Sequence, residues 1–253
     1  MRVSKIVGSI FHTLAALFVL ILAFMFTDGI IKAIIASNRV KSFIRECEYE
    51  RQVGSDTLLY SVDKGYGKDF TIKVEGVVIT LGNDGDYFTV PYNKAFDFSL
   101  VDGALTLLVG GHAGITGYLY GTPVLVEAMG GTFDEDYVDI NSGNNCDIYK
   151  PEKRSVIGFR INGTEEEREQ AFQYALTLKG KGYNYIMPIT RKDKYYCADL
   201  VSRVFKKEAG IHYVLNDNPL YVSTQSLSSS NNSSIIFFKY IDSEGMIHVY
   251  YAK

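Results

Sequence analysis

A run of about twenty apolar residues, Ile6 to Phe26, limits what this chain can fold into more than any other feature. It contains Ser9, His12 and Thr13 but no acid and no strong base. A helix of that length matches the hydrocarbon thickness of a bilayer. Arg2 and Lys5 precede it, as they would in a secretory signal peptide. No small-x-small cleavage site follows, however, and the chain stays apolar from Gly29 to Ile35 apart from Lys32. Ala36 to Glu50 then reads as charged helix. The run is therefore read as an uncleaved, single-pass anchor, and His12 within it as a histidine satisfied inside the span or tilted to its interface. Residues 1–50 make up the anchor and a juxtamembrane helix; residues 51–253 make up one domain.

The remaining roughly 200 residues are enough for a sizeable core. Nineteen Tyr and fifteen Phe with no Trp point to a β-rich or α+β interior. The net charge of −3 and the dispersed basic residues argue against nucleic acid as a partner. Three cysteines, Cys47, Cys146 and Cys197, cannot form a closed disulfide framework. Cys47 and Cys146 are either a pair or two unpaired structural thiols.

Turn and periodicity signals divide the domain. Short strands are expected from Thr57 to about Val90, including Phe70 to Val74, with a turn at Asn83-Asp84-Gly85-Asp86. Ala104 to Val109 is a further strand. His112 to Thr116 and Thr122 to Ala128 flank a turn at Tyr118 to Gly121. Asp139 to Lys153 reads as a polar loop, and Ser155 to Ile161 as a strand. Thr164 followed by Glu165-Glu166-Glu167 heads a capped amphipathic helix. Cys197 to Glu208 is a second helix, closed by Gly210. Ser223 to Ser234 reads as a polar loop. Ile235 to Ile241 and Met246 to Tyr251 form a closing hairpin.

Two chemistry-bearing side chains stand out, Cys197 and His112. The first-turn N–H groups and the dipole of a helix favour a thiolate at Cys197. A hairpin closing symmetrically at Leu119-Tyr120 sets His112 directly opposite Glu127. Opposed side chains share a face with Cβ atoms about 5 Å apart, so the carboxylate can orient the imidazole. Gly111 and Gly114 leave room beside His112. The Cys197 peptide N–H is a candidate oxyanion donor, with Tyr185 as a hydroxyl donor and Tyr196 beside the nucleophile. Asp199 falls in the same first turn and is expected to bond local backbone or a basic neighbour. His212 and His248 lack comparable surroundings. Asp134, Glu135 and Asp136 read as an exposed acidic turn, and no close His/Cys pair suggests a metal. No cofactor is implied.

Gly111-His112-Ala113-Gly114-Ile115, Val126-Glu127-Ala128 and Tyr195-Tyr196-Cys197-Ala198-Asp199-Leu200-Val201 together resemble the YiiX-like family, over roughly residues 98–210. These are circularly permuted papain-fold proteins related to NlpC-type cell-wall peptidases. Where the family has Ser-Glu after the cysteine, this chain has Ala198-Asp199. The resemblance implies an α+β fold, with an antiparallel sheet carrying His and Glu and the Cys helix packed on it. It implies Cys197 as nucleophile, His112 as base and Glu127 as orienter in a cysteine hydrolase acting on peptide amides. Lipid acyl transfer, as in the related lecithin:retinol acyltransferase group, is the alternative. An inactive, membrane-tethered binding module is the second. Arg2 and Lys5 precede the span and Lys32, Arg39, Lys41 and Arg45 follow it, so a strict count of basic residues puts the domain inside; the spread of the later charges along a helix extending past the membrane, together with this resemblance, favours an extracytoplasmic domain.

Overall fold

A computed structural model describes residues 2–66, 73–74, 77–78, 83–90, 111–130, 137–142, 155–186, 191–206, 213–216, 218 and 220–253. The expected strand over Ala104–Val109, the acidic turn at Asp134–Asp136, and Cys146 and His212 lie outside these residues.

The apolar run and the segment after it form one helix, α1 (Arg2–Glu46). It is long and apolar enough to cross a membrane. Helix does not continue to Glu50 as expected: strand β1 (Glu48–Val53) begins two residues after α1 ends. It is followed by β2 (Thr57–Val62), β3 (Lys73–Val74), β4 (Val77–Val78) and β5 (Asp86–Val90). Next come β6 (His112–Leu119), β7 (Thr122–Ala128), β8 (Val138–Ser142) and β9 (Ser155–Ile161). Helix α2 (Glu165–Thr177) carries the expected capping box, with Thr164 and Glu167 satisfying each other's backbone N–H groups. Then come β10 (Gly182–Tyr183), β11 (Lys194–Tyr195), α3 (Cys197–Val204), α4 (Thr224–Ser229), β12 (Ser233–Ile241) and β13 (Ile247–Ala252).

Nine strands form one mixed sheet in the order β1-β2-β13-β12-β9-β5-β6-β7-β8. Its pairings are antiparallel except β2 with β13, which is parallel. Successive side chains on a strand point to opposite faces. Along β6 and β7 the set Ala113, Ile115, Val124, Val126 and Ala128 packs in one core with Leu200, Val201 and Val204 of α3 and Phe172 and Ala175 of α2. The alternate set on the other face includes Leu125, which joins Phe88, Phe237 and Val249 in a second core. Close packing of α2 requires a glycine in β6. A Cβ on Gly117 would stand 2.4 Å from the Phe172 ring.

Two expected loops are structured. Val138-Asp139-Ile140-Asn141 alternates apolar and polar residues and pairs with β7 as β8, where loop was expected from Asp139. The serine-rich stretch from Ser223 folds as α4 because Ser223 and Ser226 form a second capping box, and most of its serines are buried. Helix α1 secures this stretch. The Arg39 guanidinium donates to the carbonyls of Ser228, at 2.5 Å, and Ser233. Four residues further on, Phe43 is buried in the core beside α3 and α4.

The centre of the sheet holds a buried ion pair. Asp86 and Arg160 face each other across β5 and β9, with Arg160 Nε to Oδ1 at 3.0 Å and Nη2 to Oδ2 at 2.8 Å. Asp86 is fully buried and Arg160 nearly so. Removing one partner strands the other charge, so Asp86→Ala is expected to lower the unfolding free energy by about 3–5 kcal/mol. Denaturant titration of the detergent-solubilised chain checks this; an unchanged midpoint would show that the pair is not closed.

Candidate active site

The β6–β7 hairpin turns at Tyr120-Gly121, both with positive φ (52° and 76°), the signature of a tight two-residue turn. Its ladder pairs Leu119 with Thr122 and Gly114 with Glu127. The register expected from the sequence, His112 directly opposite Glu127, is therefore off by two residues. A shift of two preserves the face, whereas a shift of one would have reversed it. His112 and Glu127 become diagonal neighbours on one face, within reach of long side chains. His112 Nε2 lies 2.5 Å from Glu127 Oε2.

Glu127 is fully buried. Its second oxygen accepts 2.8 Å from Asn141 Nδ2 on β8. The carboxylate is thus held from both sides and cannot rotate away from the ring. Reading β8 as a loop hid Asn141, although its apolar/polar alternation was visible.

Cys197 begins α3, whose apolar face packs on β6 and β7. Its thiol is buried, free and hydrogen-bonded to His112. With Nε2 engaged by Glu127, Nδ1 is the ring nitrogen left for sulfur. Burial opposes a thiolate. The bond to His112, its charge, and the backbone N–H groups of Ala113 and Ala198 outweigh it, so the thiol pKa is lowered. Burial likewise opposes the imidazolium, but Cys197 and Glu127 raise the His112 pKa to about 10. Both directions favour a thiolate–imidazolium pair. Cys47 behaves in the opposite way: burial and the Glu46 charge push its thiol up to about 11.

Asp199 is turned away from this pair. It sits 3.4 Å from Arg203 one turn on, and Arg203 stacks 4.1 Å above the Tyr195 ring. The acid in the first turn is therefore paired with a base, as expected.

A narrow cleft of ≈ 50 Å³ opens onto Cys197. Gly111, Tyr183, Tyr196 and the segment Val222-Ser223-Thr224 wall it. Gly111 has φ +91°, and a Cβ there would stand 2.4 Å from the Val90 carbonyl and 2.9 Å from Thr224 Oγ1. Only glycine lets the chain enter β6 this close to α4. Tyr196 is buried, and its hydroxyl accepts the Val222 N–H at 2.8 Å. The bond thereby ties the far wall to the residue before Cys197. Tyr185 is exposed and packs with its ring 4.8 Å from Tyr183. Tyr183, not Tyr185, reaches the cleft. Pairing of β10 with β11 places it there, a contact between short segments that no periodicity reveals.

No family model matches this chain, and no curated protein matches it. Among solved structures, it is similar to one titled "Crystal structure of metalloprotein yiiX from Escherichia coli O157:H7, DUF1105". Identity is 16%, coverage is 61% of this chain and 96% of that one, and the TM-score is 0.46. The name is that of the family the motifs resemble, and a likeness this distant says nothing of activity. Among the described residues, no group of three or more His, Cys, Asp or Glu side chains is placed to hold a metal ion.

The lowered thiol and raised imidazole pKa values have a direct consequence. The Cys197 thiolate is favoured below the pH at which an ordinary thiol ionises, and the raised His112 pKa of about 10 keeps its partner charged there. Its alkylation rate is expected to level off at a lower pH than that of an ordinary thiol. An ordinary thiol, with pKa ~8.5, would climb about tenfold per unit below its pKa. His112→Ala should restore the climb. Peptide mapping after pulsed iodoacetamide labelling reads each cysteine separately, and a profile indifferent to His112 would rule the pair out.

Proposed function

We propose that this chain is a membrane-anchored cysteine hydrolase that works by acyl transfer. The supporting observation is the hydrogen-bonded series Asn141–Glu127–His112–Cys197, which ends on a thiol at a helix start and opens into a cleft. Each member does one thing. Asn141 and the surrounding core hold Glu127; Glu127 orients His112 and stabilises its positive form; His112 removes the Cys197 proton.

The thiolate then attacks the carbonyl carbon of an amide or ester, forming the C–S bond and placing negative charge on oxygen. Tyr196, the N-cap of α3, makes no side-chain cap bond. The Cys197 N–H is the donor nearest the new oxyanion, and Tyr196 and Tyr183 frame the pocket. Tyr185 acts through its packing on Tyr183. The imidazolium at His112 gives its proton to the leaving amine or alcohol as the C–N or C–O bond breaks. Water, deprotonated by His112, next attacks the thioester. The C–S bond breaks, the acid departs, and the thiolate–imidazolium pair is restored.

The apolar part of α1 serves as a single-pass anchor, with the domain on the extracytoplasmic side. A cell-wall peptide amide and a lipid acyl group are the two donors consistent with this chemistry.

Incubation of the solubilised chain with a panel of peptide amides and acyl esters, followed by intact mass measurement, tests the reading. A covalent acyl adduct on Cys197 is expected, and none in Cys197→Ala. Glu127→Gln keeps the shape but loses the charge that holds the imidazolium, and should slow acylation about 10²- to 10⁴-fold. Absence of any adduct, together with an ordinary thiol at Cys197, would leave a binding module as the function.

A further inference from the structure

The cleft wall and the apolar helix are parts of one construction. Contacts at four levels of α1 join it to the chain around the cleft. Arg39 holds Ser228 and Ser233. Lys32 Nζ donates to Asn216 Oδ1 at 3.4 Å. Asn218 Nδ2 donates to Asp28 Oδ2 at 2.7 Å. Tyr221 Oη donates to the Met25 carbonyl at 3.0 Å. Residues 216, 218 and 221 thus climb α1 toward its N-terminus, reaching levels 32, 28 and 25 in turn. At 1.5 Å per residue, Met25 stands about 21 Å above Arg39. Val222, Ser223 and Thr224, the wall of the cleft, follow directly after the highest contact.

That contact falls where the hydrocarbon ends. From Val7, which follows the basic Arg2 and Lys5, about 30 Å of bilayer core is spanned by residue 27 or so. Beyond it the outer face of α1 remains apolar: Ile30, Ile31, Ile34 and Ile35 are all 40% exposed or more. The domain-facing stripe carries buried Lys32, with Asp28 at its edge beside the ridge, both bonded to the domain. The helix therefore meets lipid on one side and the domain on the other over the same turns. This continuity with the span identifies a lipid surface as what covers the isoleucine ridge.

We infer that the cleft of Cys197 opens at the headgroup level of the bilayer and takes its acyl donor from the membrane plane. This rests on the hydrolase and anchor readings above. The substrate class is an amphiphile whose scissile carbonyl lies at the interface while its chain stays in the hydrocarbon. A soluble peptide would gain nothing from a nucleophile set beside the end of the span.

The chain has no tryptophan, so single insertions report depth without background. The full chain is reconstituted in phosphatidylcholine–phosphatidylglycerol vesicles carrying bromine either near the headgroup or, in a second preparation, deep in the acyl chains, where Leu17 lies. Leu17→Trp marks the span, Ile34→Trp the ridge and Leu220→Trp the loop beside Tyr221, at the highest contact. Tyr120→Trp marks the exposed hairpin turn at the other end of β6. Bromolipid should quench the ridge and loop reporters and leave the Tyr120 position bright. In the same vesicles N-hexadecyl iodoacetamide should label Cys197 more than about tenfold faster than iodoacetamide, a preference of about 1.4 kcal/mol. Quenching in the span alone, with equal labelling rates, would overturn the inference while leaving the hydrolase reading standing. No quenching at Leu17→Trp would remove the anchor and the inference with it. A Cys197 that reacts slowly with both reagents would fail the hydrolase reading instead.

Discussion

A single buried carboxylate organises the candidate site of this protein. Glu127 has no contact with solvent, and each of its oxygens has a designated partner, one on β6 and one on β8. Burying an ionised group is unfavourable unless it is paired and hydrogen-bonded. Here the pairing partner is His112, and its bonds to Glu127 and Cys197 favour the thiolate–imidazolium form of the pair. Each charge in the series makes the next one tolerable in an apolar setting. The three strands carrying these side chains must keep their registers for the arrangement to exist.

The sheet meets this demand by separating its duties between faces. One set of β6 and β7 residues packs on α2 and α3 and holds the strands still. The alternate set carries His112, Glu127 and, across to β8, Asn141. Glycines appear where this arrangement leaves no space for a side chain: Gly117 under Phe172, and Gly111 between the Val90 carbonyl and Thr224. Cys197 arrives on a separate element, so its position relative to His112 depends on the packing of α3 and not on any local turn.

Helix α1 divides its duties along its length. Its first half is apolar, exposed and long enough to cross a membrane; its second half offers Asp28, Lys32, Arg39 and Phe43 to the domain. The bonds from the second half fall on the serine- and asparagine-rich stretch from Asn216 to Ser233, which also walls the cleft. A stretch that looks like a solvated linker is ordered because an arginine and two capping serines satisfy its backbone.

Much of the site was legible before any fold was known. The apolar run, the capping box at Thr164, the strand pair around Tyr120 and the trio Cys197, His112 and Glu127 follow from residue type, spacing and period, which are local properties. The even register shift kept His112 and Glu127 on one face, so the pairing survived an inexact turn. What local patterns do not contain is which segments meet across long separations. Asn141 beside Glu127, Tyr183 in place of Tyr185 at the cleft, the order within Ser223–Ser234 and the contacts from α1 all join residues distant in sequence or strands too short to show a period. Residue type and spacing were enough to say which groups are available for chemistry. Which of them touch was settled in three dimensions, because those contacts are set by the packing of whole elements and not by any neighbour along the chain.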